Sequence, residues 1–196
     1  TRVEVDAEDP GFQFPTKPVG PVLTSEQVMS EDWDIAETIN GPRRVVASPS
    51  PKEILDLEII QSLIAKNAIV ICCGGGGIPV INKGEHYAGV PAVIDKDRLS
   101  ALLAIEMKVD ALIISTAIDA VRTGFGTESE QTHHTMTVEQ ANAYLDSGEF
   151  PAGSMGPKVA SAIEVVENLE NVKSIICQPG DAVKALRGDS GTNFVK

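Results

Sequence analysis

Six apolar residues, Ala68-Ile69-Val70-Ile71-Cys72-Cys73, run directly into four consecutive glycines, Gly74 to Gly77. A continuous apolar run of this length, closed by residues that break regular structure, predicts a strand buried on both faces. Such strands belong to parallel sheets covered by helices on each side. The rest of the chain repeats the theme. Residues 52–67 place Ile54, Leu55, Leu57, Ile59, Ile60, Leu63 and Ile64 at helical spacing, with Pro51 as a helix-starting proline. Beyond the glycines come a short strand at 89–94, a helix at 98–108 and a second buried strand at 111–115. Helices at 137–146 and 157–168, a strand at 172–177 and a short helix around 180–186 complete the alternation. The expected fold is α/β: a three-layer αβα sandwich with a mostly parallel central sheet. Residues 1–51, rich in proline and poor in periodicity, read as a small irregular or hairpin-bearing amino-terminal appendage.

Charge and composition narrow the function. The formal net charge of -12 argues against a nucleic-acid partner, which needs a basic face. A small anion requires only a locally basic pocket. Cys72, Cys73 and Cys177 sit in apolar runs, as suits buried reduced thiols in a cytoplasmic protein rather than a disulfide framework or a metal cage. No apolar run approaches the roughly 18 to 20 residues that span a bilayer, and no basic segment followed by an apolar one stands at the start, so a protein that is not exported is the expectation. A first residue Thr1, followed by a charged irregular stretch, raises the expectation of a processed, trimmed or fragmentary polypeptide.

Chemistry-bearing residues gather where strands end and helices start, which is where open parallel sheets bind ligands. The glycines Gly74, Gly75 and Gly76 let a backbone approach a ligand closely and turn its amides outward. Asp95-Lys96-Asp97 places two carboxylates and an ammonium at a strand-to-helix junction. Charge this dense is costly unless something uses it, although Asp97 as a helix N-cap beside a solvated Asp95-Lys96 pair is the plain alternative. Ser115 to Val121 sets Thr116, Ala117 and Asp119 at a strand's carboxyl end, in reach of a nucleotide or in an ordinary turn. Gly153 to Lys158 leads a glycine-rich loop into a helix, with Met155 in the loop and Lys158 in the first turn. A cation there opposes the helix dipole unless an anion binds. Lys17 is flanked by Pro15-Thr16 and Pro18. His133-His134 lacks partners at ligand spacing and reads as loop, so no metal residues are assigned.

Together these stretches resemble the carbamate kinases of the amino acid kinase superfamily. The resemblance runs from 1–6 and 14–21 through Arg43 to Val46, Gly74 to Pro79, Ala92 to Asp97 and Gly148 to Lys158. It implies reversible phosphoryl transfer between carbamoyl phosphate and ADP, giving ATP and carbamate, with Mg²⁺ on the nucleotide. It also implies catalytic roles for Lys96, Asp97, Lys158 and Lys17. Lys96 would neutralise transition-state charge, Asp97 would hold the lysines, and Lys158 would be a second phosphate-binding cation. Lys17 would lie near carbamoyl phosphate on a closing subdomain. Gly74, Gly75, Gly76, Asp95, Thr116, Ala117, Asp119 and Met155 would contact the nucleotide. Residues 1–51 would then be part of a protruding lid near the carbamoyl phosphate site, and 52–196 the nucleotide-binding αβα domain.

Family members also carry an earlier segment with a Gly-Gly-Asn-Ala motif on the first strand and a later Gly-Asn-Gly-Pro-Gln loop. Neither motif occurs in these 196 residues, so the expectation is a carboxyl-terminal portion, in the family's usual homodimer, missing an amino-terminal polypeptide. Arg122 and Thr123 stand where the family has an aromatic and an apolar residue, and Asn40-Gly41-Pro42 replaces its usual turn. Two other readings stand beside the first. One is a catalytically inactive kinase-like subunit or regulatory module that binds nucleotide or carbamoyl phosphate. The other is an amino acid kinase acting on a carboxylate.

Overall fold

The computed structural model describes every residue from Thr1 to Lys196 except Ile39 and Ala152, the latter inside the stretch 148–158. Two compact units divide the chain, Thr1–Leu99 and Ser100–Lys196.

The first unit contains β1 (Arg2–Val5), a single 3₁₀ turn at Pro10–Phe12, β2 (Lys17–Pro18), α1 (Ser25–Ser30), β3 (Ile35–Thr38), β4 (Gly41–Val46) and β5 (Pro51–Ile54). It continues with α2 (Leu57–Ile64), β6 (Ile78–Asn82), β7 (Tyr87–Gly89) and the first turn of α3 (Lys96–Met107). One sheet has the order β5-β1-β6-β7, with β1 antiparallel to β5 and parallel to β6. Its centre is apolar: Val3, Val5, Ile54 and Val80 are buried. A second, antiparallel sheet of order β2-β4-β3 spans the proline-rich region, where Arg44 stacks 4.9 Å from the Trp33 ring centre.

Three elements of this unit differ from the sequence reading. The helix expected at 52–67 starts only at Leu57, because Ile54 pairs with Val3 across β5 and β1 and is buried there. Pro51 opens that strand rather than a helix. The apolar run at 68–73 forms no strand; the strand of this region is β6, beyond the glycines. A run becomes a strand only beside another, and no strand of the described residues pairs with it, so Ile69 and Ile71 are 97% and 98% exposed. The strand expected at 89–94 is displaced to β7, which ends at Gly89, ahead of Pro91.

The second unit comprises the rest of α3, β8 (Ala111–Ser115), β9 (Val121–Thr123), β10 (Gln131–His133), β11 (Thr135–Thr137), α4 (Val138–Asp146), α5 (Met155–Asn168), β12 (Lys173–Cys177), α6 (Ala182–Arg187) and β13 (Thr192–Val195). Its main sheet has the order β11-β13-β12-β8, with β12 parallel to β8 and β11 parallel to β13. Successive residues of β12 face opposite sides, as the pleat requires. Ile176 packs with Val159, Ala162, Ile163 and Val166 of α5 on one face, while Ile175 and Cys177 meet Ala185 of α6 on the other. Helix, sheet and helix make three layers, matching the α/β, αβα expectation. The expected helices and strands of this half are present with ends shifted by a residue or two. Thr137 caps α4 through a reciprocal pair with Gln140, and α5 begins two residues before Pro157. The β9–β10 hairpin was not anticipated from the sequence pattern. Among the described residues no helix is long and apolar enough to cross a membrane.

Candidate functional site

Helix α3 begins at Lys96, two residues earlier than an Asp97 cap would require, and this reassigns the carboxylates around it. Asp95 is the cap: its Oδ1 accepts the Asp97 amide at 2.8 Å. Its Oδ2 accepts Lys17 Nζ at 2.5 Å, so an edge strand of the three-stranded sheet is tied to the helix start. Burial pushes the Asp95 carboxyl up, but Lys17 and the amides of Asp97 and Arg98 outweigh it and hold the group below its usual range. Asp97, also buried, lies in the first turn and accepts Lys96 Nζ at 3.2 and 3.3 Å. Lys96 itself is half exposed. Lys17, Asp95, Lys96 and Asp97 thus form two lysine–aspartate pairs around one helix N-terminus. Asp95 is no solvated bystander. The sequence signal for its role was an aspartate two residues ahead of a carboxylate that itself starts an apolar-periodic segment.

The glycine loop belongs to the same unit, and its members differ in why they are glycine. A Cβ on Gly76 would collide with the carbonyl oxygen of Ile94, the residue before Asp95. A Cβ on Gly77 would lie 2.6 Å from a Val3 methyl. Both also have positive φ. Gly74 and Gly75 have nothing within 4 Å of that position, and Gly75 needs no positive φ either. Packing therefore explains Gly76 and Gly77, while Gly75 keeps open space above its backbone. Cys73, just before the loop, has its thiol pushed up to about 11, first by burial and then by neighbouring Cys72. Burial likewise raises the Cys177 thiol, and all three cysteines are free, as the sequence reading expects.

The remaining candidates lie in the second unit. Thr116 follows β8 directly, its amide bonded to the Cys177 carbonyl at 2.9 Å, and Ala117 and Asp119 are exposed in the connection to β9. Asp119 accepts Arg122 Nη2 at 2.9 Å, and Arg122 Nη1 donates to Glu130 at 2.9 Å. Desolvation raises the Asp119 carboxyl, but the Ala120 amide and Arg122 leave it below its ordinary value. Thr123 Oγ1 lies 2.8 Å from His133 Nε2, and the His133 ring tilts against Tyr144. His133 therefore ends a strand rather than standing in a loop. Met155 is the first residue of α5 rather than part of the loop, and Lys158 lies in its first turn, partly buried. Ser154 precedes the helix without a side-chain cap, so its first amides are not closed by that residue. Sequence reasoning missed Glu149, whose carboxylate accepts the Gly124 amide at 2.5 Å and anchors the turn beyond Thr123.

The amino acid kinase family matches residues 21–178. Among curated proteins the chain is similar to the carbamate kinase of Clostridium perfringens, 42% identical over 201 residues covering all of this chain and 64% of that protein. The carbamate kinase of Halobacterium salinarum is 41% identical over 200 residues, covering all of this chain and 65% of that protein. Among solved structures, carbamate kinase from Giardia lamblia bound to AMP-PNP is similar at 37% identity and a TM-score of 0.86, covering all of this chain and 63% of that one. The chain thus spans a little under two thirds of the length of the relatives it matches.

Proposed function

This chain belongs to the amino acid kinase family, and from that premise we propose that it is the nucleotide-binding portion of a carbamate kinase. The reaction is reversible transfer of the phosphoryl group of carbamoyl phosphate to MgADP, giving ATP and carbamate. The observation that carries the reading is the pairing of Lys17 with Asp95 and of Lys96 with Asp97 at the start of α3. Phosphoryl transfer needs positioned positive charge on equatorial oxygens and no covalent protein intermediate. A buried carboxylate holds such a lysine in place, and its ammonium carries three N–H donors.

In this reading Lys96 neutralises charge on the transferred phosphoryl and Asp97 positions it. Lys17 meets the carbamoyl phosphate and is oriented by Asp95. Lys158 supplies a second phosphate-binding cation at the start of α5. Gly74, Gly75 and Gly76 bring backbone amides to the phosphates, and Asp95, Thr116, Ala117, Asp119 and Met155 contact the nucleotide. Residues 1–51 form part of a lid and 52–196 the nucleotide-binding portion of a cytoplasmic homodimer, in which an amino-terminal polypeptide completes the active site.

Two measurements test this. MgADP at about 100 times its dissociation constant should stabilise the 196-residue chain by roughly 2.7 kcal/mol in a thermal-shift titration. In the full-length protein, Lys96→Ala should lower kcat far more than it raises the nucleotide KM, and an unchanged kcat removes Lys96 from the mechanism. A second reading, a kinase-like subunit that binds without turnover, draws on Asp119, whose carboxylate is engaged by Arg122. Stabilisation by carbamoyl phosphate with none by MgADP would favour it.

A further inference from the structure

The carboxyl end of α6 borders a cleft of about 220 Å³ whose lining includes Lys173, Arg187 and His134 and no acidic residue. In a chain with 28 aspartates and glutamates against 16 lysines and arginines, such a lining stands apart. The floor is one row across the second unit's sheet: Thr135 of β11 and Ile175 of β12 each pair with Asn193 of β13, so the three stand abreast. Lys173, two residues before Ile175, emerges on the same face. Helix α6 covers part of that face through Ala185 and Leu186. Lys173 Nζ donates to the Leu186 carbonyl at 2.7 Å, which offsets the partial negative charge of the helix end and leaves two further N–H groups. His134 Nδ1 donates to the Gly191 carbonyl at 3.2 Å, which fixes the ring and leaves Nε2. Neither the Arg187 guanidinium nor the Asn193 amide makes a hydrogen bond among the described residues. Cations in a last helical turn ordinarily serve the dipole, and Lys184 is further tied to Asp181 at 2.9 Å. Arg187 lines the cleft instead.

We propose that this cleft binds a phosphate group, carried by inorganic phosphate or by a small phosphate ester, at a site separate from the nucleotide-binding candidates. Arg187 offers a planar fork to two oxygens, and Lys173 adds a point charge from the sheet. The volume falls below the roughly 300 to 1,000 Å³ of pockets for drug-sized ligands, which excludes a whole nucleotide and admits a phosphate with a short attachment. Position along the sheet separates the two sites: Lys173 pairs with Ala111, whereas Cys177, four residues on, pairs with Ser115 beside Thr116. At about 3.3 Å per residue, Lys173 stands roughly 13 Å from that end. The cleft needs none of the catalytic roles assigned above.

The test titrates the isotope-labelled protein with inorganic phosphate and, separately, with glycerol 3-phosphate, at an ionic strength fixed with sodium chloride, and follows backbone amides by NMR. Amides at 134, 135, 187–190 and 193 should shift and saturate together, and the probe that saturates at the lower concentration identifies the source of the phosphate. Arg187→Gln, at an exposed position, should keep the circular dichroism of the parent and weaken binding by about tenfold or more, as loss of a charge-assisted hydrogen bond requires. Lys196→Gln removes the same charge outside the cleft, where Lys196 pairs with Glu170, and should leave the affinity unchanged. Shifts that sodium chloride alone reproduces, or an affinity indifferent to Arg187→Gln, overturn the proposal. So does acetate binding as tightly as phosphate, which would make the ligand a carboxylate. Phosphate-dependent shifts at 74–77 and 96–97 are read separately, so their absence would count against the functional reading and leave this site standing.

Discussion

Two apolar runs that close on a cysteine occupy opposite environments. Residues 68–73 leave Ile69 and Ile71 in solvent, whereas β12 buries Ile175, Ile176 and Cys177 almost completely. Their compositions are close; if anything, β12, with Lys173 and Ser174, is the less apolar. The difference lies in neighbours: β12 is hydrogen-bonded to β8 on one side and β13 on the other and is covered by α5 and α6. The run at 68–73 has no such strand among the described residues. Apolarity makes a strand desirable, but backbone partners make it possible.

The largest test of this contrast is a pair of truncations in the 196-residue chain. Ile176→Ala should cost about 2 to 5 kcal/mol in urea unfolding, because it opens a cavity between β12 and α5. Ile71→Ala should change stability by no more than about 0.5 kcal/mol, since its side chain touches little. Equal losses would break the comparison.

A smaller effect separates the loops that follow the two runs. Gly76 and Gly180 both have positive φ, but only at Gly76 would a Cβ strike backbone, the Ile94 carbonyl. Gly180→Ala should cost about 1 to 2 kcal/mol from the left-handed conformation alone. Gly76→Ala should cost more and should also shift the start of α3, measurable as altered nucleotide binding.

The smallest effect is pH-dependent and belongs to β12's own loop. The Asp181 carboxylate accepts Lys184, Gln178 and Ser190 at 2.9, 2.7 and 3.1 Å, which lowers its pKa to about 2. A folded pKa below the ordinary 3.8 contributes stability that is present above that value and is lost as pH falls through about 2. The melting-temperature gap between parent and Asp181→Asn should therefore be steady at neutral pH and shrink as pH drops from about 4 towards 2. A gap that widens on acidification would contradict the assigned contacts.

Much of the fold was legible from short-range pattern. Strand β8 and helices α4 and α5 follow from apolar periodicity, which is written in neighbouring residues, whereas Thr137 proves to be the cap of α4 rather than its first residue. What failed depended on distant partners. Ile54 fits a helix by spacing but is drawn into β5 by Val3, some fifty residues earlier in the chain. In the candidate site, Lys17, Asp95, Lys96 and Asp97 were visible as residues, yet the division into pairs was not. That Asp95 both caps α3 and holds Lys17 depends on a strand placed 78 residues away.

The sequence by itself determined the α/β class, the helices whose periodicity is local, and the charged residues gathered at a helix start. Tertiary structure alone decided which apolar run is a strand, which aspartate caps and which holds a lysine, and which of four glycines must be glycine. The physical reason is range. Propensity, capping and periodicity act within a few residues, whereas ladder hydrogen bonds and buried ion pairs require groups brought together by the whole chain.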